Sequence, residues 1–310
     1  MTQNRHNFLI GFAFALLATL LWSGNFIAAR GLNKSISPVA LNSLRWVVAT
    51  LVLLPFAYSK LVQEWKLLRP HLWQLCFAAL SGVTVFNTFV YVGGKYSSAT
   101  NLALIGTTAA PIFVLLITAL FLKQRISLYQ IIGTILCVAG IVILISGGNW
   151  EGLRHFTLST GDIWILLAAL AFAIYTVLVR KKPAGVSAIS FLFAIFLLGT
   201  IFLIPALIID RSMGHRFAWN ETIVLSILYL GIGASVISFL SWNISIRRIG
   251  PARTALFGNL IPIFSTIEAS ILLNEEFSNV TLISLAIILM GLLIANLHSL
   301  MPARKIDTAG

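Results

Sequence analysis

Apolar residues fall in long runs along this chain, and short polar segments separate them. Ten runs are each long enough to cross roughly 30 Å of hydrocarbon as a helix: residues 8–28, 39–58, 72–92, 98–122, 128–146, 160–180, 187–209, 222–244, 252–273 and 280–298. The pattern predicts an all-α integral membrane protein with neither a soluble domain nor a catalytic lid. The first run is too long for a signal-peptide core and leads into Trp22-Ser23-Gly24-Asn25 with no A-x-A site, so it is read as helix 1.

The pattern is also written twice. Pro111-Ile112-Phe113 aligns with Pro262-Ile263-Phe264 at an offset of 151 positions. The same register pairs Ile126-Ser127 with Phe277-Ser278, and Tyr91 with Trp242. Each copy holds an odd number of spans, five, so the second must enter the membrane from the opposite face. Residues 8–146 and 160–298 are therefore expected to be inverted repeats about an axis in the membrane plane, the arrangement that alternating access requires.

Composition agrees: 59% of the 310 residues are hydrophobic and 10% are charged, against about 25% charged in soluble domains. The net charge of +12 does not indicate nucleic acid, because the bases sit in short clusters between apolar runs. They indicate orientation instead. With the N-terminus inside, cytoplasmic segments hold fourteen Lys and Arg and outer segments hold six, leaving Arg45 inside helix 2. Both termini are expected in the cytoplasm. Cys76 and Cys137 fall in apolar runs and read as buried free thiols.

Few residues within the spans can carry chemistry. Glu268 is the one carboxylate well inside an apolar run, and Arg45 lies at similar depth. Both are expected to face the interior, as a candidate charge pair or coupling site, since lone charges facing lipid are expensive. A structural ion pair, or snorkelling of Arg45, is the plainer alternative. Asn25, Asn42, Asn87, Asn101, Asn243 and Asn259 lie within or at the ends of spans. Asparagine can bond a zwitterion without the cost of a charge, and it also serves as glue between helices. Asn25 and Asn259, deep and beside small residues, are the better candidates. Trp22, Tyr91, Tyr175 and Trp242 could wall a pocket, although aromatics near span ends commonly form interface belts. Pro111 and Pro262 are expected as mid-helix kinks that free the carbonyls of Thr107 and Gly258. Gly133 and Gly140, with Ser284 and Gly291 at the offset positions, mark helices 5 and 10 as packing scaffold. Glu275-Glu276 reads as a solvated turn.

Enzyme chemistry has no support. The five histidines fall in loops or at span ends, and there is no H-E-x-x-H, nucleophile elbow, phosphate loop or Cys/His cluster. No cofactor, metal or nucleic-acid partner is expected, and ATP is not the driving force. The lipid bilayer and a small-molecule substrate are the expected partners; monomer and homo-oligomer both stay open.

Leu21-Trp22-Ser23-Gly24-Asn25-Phe26, Leu44-Arg45-Trp46, Ala99-Thr100-Asn101, the Pro-Ile-Phe of both halves and Glu275-Glu276-Phe277-Ser278 carry a resemblance. In these segments, and in their order over residues 8 to 298, the chain resembles the EamA family of the drug/metabolite transporter superfamily. The first half departs from the acidic turn with Lys123-Gln124-Arg125. The resemblance implies ten spans, inverted five-span halves, a central cavity, and transport of amino acids or other small metabolites, often outward. The reading is thus a secondary transporter or facilitator, with amino acid export across the cell inner membrane leading. Trp22, Asn25, Asn101, Tyr175, Asn259 and Glu268 are expected to line the path. Alternatives are a flippase-type translocator of lipid-linked intermediates, a metabolite or phosphate-type exchanger, and, on weaker grounds, an intramembrane enzyme.

Overall fold

The structure, a computed structural model, describes residues 2–123, 126–149, 158–249, 254, 257–276 and 278–300. Gln124, Arg125 and Phe277, named above, lie outside them, as do Arg154, Arg253, Arg304 and Lys305 of the counted bases, His155 of the five histidines, and much of the start of the ninth run. Among the described residues every regular element is helical. The long helices are α1 (Thr2–Gly31), α2 (Pro38–Leu68), α5 (Ala99–Leu122), α6 (Leu128–Ile145), α7 (Thr160–Arg180), α8 (Ala188–Ser212) and α12 (Asn279–Leu300). Two further helices each contain a π-helical segment. In one, α3 (Leu72–Ala79) passes through Leu80–Val85 into α4 (Phe86–Gly93); in the other, α9 (Glu221–Leu228) passes through Tyr229–Ile237 into α10 (Ser238–Ile249). A 3₁₀ turn, Gly258–Leu260, leads into α11 (Ile261–Leu273). Among the described residues seven stretches are long and apolar enough to cross a bilayer, and Gly258–Leu273 and Asn279–Ala295 are shorter apolar helices. Phe121 and Ile271 stand more than 70% exposed, which suits a lipid-facing surface.

Serine sets where these helices begin. Ser37, Ser98, Ser127, Ser159 and Ser187 each turn a side-chain oxygen onto an N–H of the first turn, satisfying a donor that hydrocarbon cannot. Local conformation recurs at the 151-residue offset. Lys123 and Asn274, the two described non-glycine residues with positive φ, both end a helix in the left-handed conformation. The two π segments overlap in the same register.

Packing pairs α6 with α12, α2 with α8, α5 with α7 and α1 with α10 most extensively. The α6–α12 contact is backbone on backbone: a Cβ added at Gly133 would lie 2.5 Å from Gly291 O, and one at Gly291 would lie 2.7 Å from Gly133 O. Between α2 and α8 each helix supplies a carboxylate to the start of the other. The Ser37 hydroxyl donates to Asp210 at 2.5 Å at one end. Ser187 donates through its backbone N–H (2.8 Å) and hydroxyl (3.0 Å) to Glu64 at the other.

Two sequence expectations are corrected. Glu275 is not a solvated turn residue. Its oxygens accept the N–H groups of Ala99 (2.9 Å) and Thr100 (3.3 Å) and the Thr100 hydroxyl (3.0 Å), capping α5 from across the fold. Pro262 does not leave the Gly258 carbonyl free: it stands in the first turn of α11, after a 3₁₀ turn in which the Ile261 N–H bonds Gly258 O. Pro111, by contrast, does lie inside α5. Glu275→Ala is expected to lower stability by about 1–2 kcal/mol, the cost of a lost cap, read from thermal melting in detergent.

Candidate functional site

One group of buried polar side chains converges on α1. Its Gly24 has no side chain, so Tyr229 of the second π segment lies directly against it: a Cβ there would sit 2.2 Å from the Tyr229 oxygen. That hydroxyl donates to Leu21 O at 2.8 Å. On either flank of Gly24 stand the residues that engage the two deep charges.

On one flank is Arg45, 3% exposed. Its Nη1 lies 2.6 Å from Asn25 Oδ1, 2.7 Å from Asn87 Oδ1 and 2.8 Å from Tyr91 Oη, three acceptors for two N–H groups, and its Nε donates to Ser235 Oγ (2.9 Å). Tyr91 in turn donates to Asn25 Oδ1 at 2.9 Å. Both π segments serve this group. Their wider turns leave carbonyls free of the regular ladder: Ser235 donates to Leu230 O (2.9 Å), and Asn87 Nδ2 donates to Gly82 O (3.4 Å).

On the other flank, Ser23 Oγ lies 2.7 Å from Glu268 Oε1 and 2.6 Å from Leu20 O. A hydroxyl has one proton, so it cannot serve both acceptors fully. Either Ser23 donates to an ionised Glu268, or a protonated Glu268 donates to Ser23, which donates to Leu20. Glu268 Oε2 is buried with no partner. The carboxyl is thus built to take either protonation state with a small hydroxyl rotation.

The expected Arg45–Glu268 pair does not form. Positions 23 and 25 are two residues apart on a helix and so point about 200° apart, and each charge takes the α1 residue on its own side. Trp22 donates its indole N–H to Ala234 O at 3.1 Å and stacks near Trp242, with centroids 5.0 Å apart. Tyr175 is buried with its ring against Gly82, where a Cβ would come within 2.3 Å. Asn259 lies in the 3₁₀ turn with its Nδ2 buried and unpartnered. Asn101 is in the first turn of α5, away from the α1 group, with its N–H bonded to the Ser98 capping oxygen. The sequence reading gave no weight to Ser23, Ser235 or Tyr229. The signal available was Gly24 itself, a residue without a side chain between two polar ones.

A cleft of about 520 Å³ opens between the start of α1 and the end of α10, lined by Ile10, Phe14, Ile244, Arg247 and Arg248. Among the described residues no cluster of His, Cys, Asp and Glu could hold a metal ion.

Residues 9–146 and 159–297 each match the EamA-like transporter family. The chain belongs to the EamA-like transporter family. An uncharacterized transporter of Archaeoglobus fulgidus is 30% identical over 266 residues, covering 84% of this chain and 88% of that one. A probable terminal-alkyne amino-acid exporter of Streptantibioticus cattleyicolor is 26% identical, over 95% of this chain and 96% of its own. A solved crystal structure superposes with a TM-score of 0.64 at 22% identity, covering 96% of this EamA chain and 99% of the other, and so shares its fold.

Proposed function

We infer that this EamA protein is a secondary transporter that exports amino acids across the cell inner membrane by alternating access. The observation that carries the reading is the buried group on α1, where a cation and a carboxylate are held on separate flanks of one helix by neutral partners. Supporting it are the family match and the exporter relative. The proposed architecture is ten spans in two inverted five-helix repeats, residues 8–146 and 160–298, with both termini in the cytoplasm. The 151-residue recurrence of caps and π segments supports the repeat. In this orientation the basic cleft beside Phe14 faces the cytoplasm, below Trp22, Asn25, Tyr175 and Glu268 on the proposed path. Asn101 and Asn259 mark its more distant parts. A lipid-linked cargo would ask for Arg45 at a lateral opening, and nothing in its burial favours that.

The test is efflux of a pool of labelled amino acids from proteoliposomes. Protein-dependent release of a subset is expected; no release of any, from folded protein, overturns the amino-acid reading. Glu268 is the proposed proton-coupling residue, since its bonds admit both protonation states. Glu268→Gln is therefore expected to flatten the response of efflux to pH between about 5 and 8, a range that brackets shifted carboxylates. An unchanged response would remove Glu268 from the coupling.

A further inference from the structure

Arg45 is a buried cation that none of the described residues neutralises. All four acceptors around it are uncharged, and its Nη2 takes no acceptor. The adjacent Trp46 is 2% exposed, its indole N–H is buried without a partner, and its ring centroid lies 5.0 Å from the guanidinium carbon. Nη2 thus has no acceptor among the described residues, the Trp46 N–H is buried without one, and the positive charge has no counter-ion within reach. An uncompensated buried charge is costly, and so is a buried donor without an acceptor.

We propose that Arg45 is the docking residue for a carboxylate of the transported molecule, with Trp46 as a second donor. The guanidinium supplies the charge, and its Nη2 is left to donate to a carboxylate oxygen in a charge-assisted bond. One cation surrounded by neutral groups suits a monoanion and not a phosphate dianion. Asn25, Asn87, Tyr91 and Ser235 are positioning residues: they fix Nη1 and Nε and leave Nη2 for the ligand. The assignment rests on the transport reading and narrows it to carboxylate-bearing cargo.

The test uses the full-length protein in detergent, with melting temperature read against acetate, isovalerate, benzoate, L-leucine, L-phenylalanine, leucinamide, 3-methylbutylamine and inorganic phosphate. The same compounds then compete with efflux from proteoliposomes. Carboxylates are expected to stabilise and compete, while the amide, the amine and phosphate do not. Arg45→Lys should weaken carboxylate binding at least tenfold, and Arg45→Gln should abolish the preference over the amide. If Arg45→Gln does not fold, the wild-type preference and a severalfold loss in Trp46→Phe still decide. Stabilisation by phosphate alone, by no carboxylate, or equally by leucine and leucinamide overturns the proposal. Arg45-dependent binding of isovalerate with no amino acid carried keeps it and overturns amino acid export. Efflux of amino acids that is blocked equally by their amides does the reverse.

Discussion

Asn25→Asp is expected to leave the protein folded and to reduce its handling of carboxylates at least tenfold. Aspartate has the shape of asparagine, and Asn25 uses its Oδ1 as an acceptor, from Arg45 Nη1 and Tyr91. The exchange keeps both bonds and adds a permanent counter-charge. An ion pair with Arg45 then competes with any carboxylate from solution, and a loss of about 1.4 kcal/mol suffices for tenfold. Asn25→Leu separates this from a packing effect. It leaves both the guanidinium and the Tyr91 hydroxyl short of an acceptor, at a combined cost of about 3 kcal/mol or more. The two variants should thus fail differently: Asp melts near wild type and binds poorly, and Leu melts early. A wild-type efflux rate in Asn25→Asp would count against any ligand at Arg45.

Gly133→Leu is expected to be the most damaging substitution away from the polar group. A side chain there meets backbone, Gly291 O at 2.5 Å and Ala295 N at 2.6 Å, and backbone cannot rotate aside. Two helices in lipid have no hydrophobic drive to stay together, so losing this close approach removes the packing that joins them. The cost should reach the top of the usual overpacking range, about 3 kcal/mol. Gly133→Ala and Gly291→Ala should each cost less, and the double variant should depart from additivity, because the two positions face the same contact. Melting in detergent with the four proteins measures this. Independent, additive effects would mean that the helices meet elsewhere.

The scaffold was legible because its physics is one-dimensional. Apolar run length gives the helices, and Gly133 and Gly291 give a seam. The site was legible only as a collection of residues. Arg45, Glu268 and Asn25 stand out as polar groups in hydrocarbon, but the sequence pairs charge with charge, and the fold instead sets α1 between them. Tyr91 near a span end resembles an interface aromatic, yet it is 1% exposed. The π segments escaped because their single extra residue per turn leaves no mark on hydropathy, and with them went Ser235 and Tyr229. Glu275 was misread because its partners, Ala99 and Thr100, are distant in sequence.

The carboxylates exchanged between α2 and α8 bear on the energetics of a full cycle. Asp210 on Ser37 and Glu64 on Ser187 hold opposite ends of one helix pair at once, so the conformation seen is shut at both ends of that seam. On the alternating-access reading proposed above, opening along this seam toward one compartment undoes one clasp and can spare the other. The clasps are unequal: Glu64 takes two bonds from Ser187, whereas Asp210 takes one from Ser37 and also holds His215 at 2.9 Å. On that reading the two openings start from unequal costs, and cargo or its gradient must supply the difference.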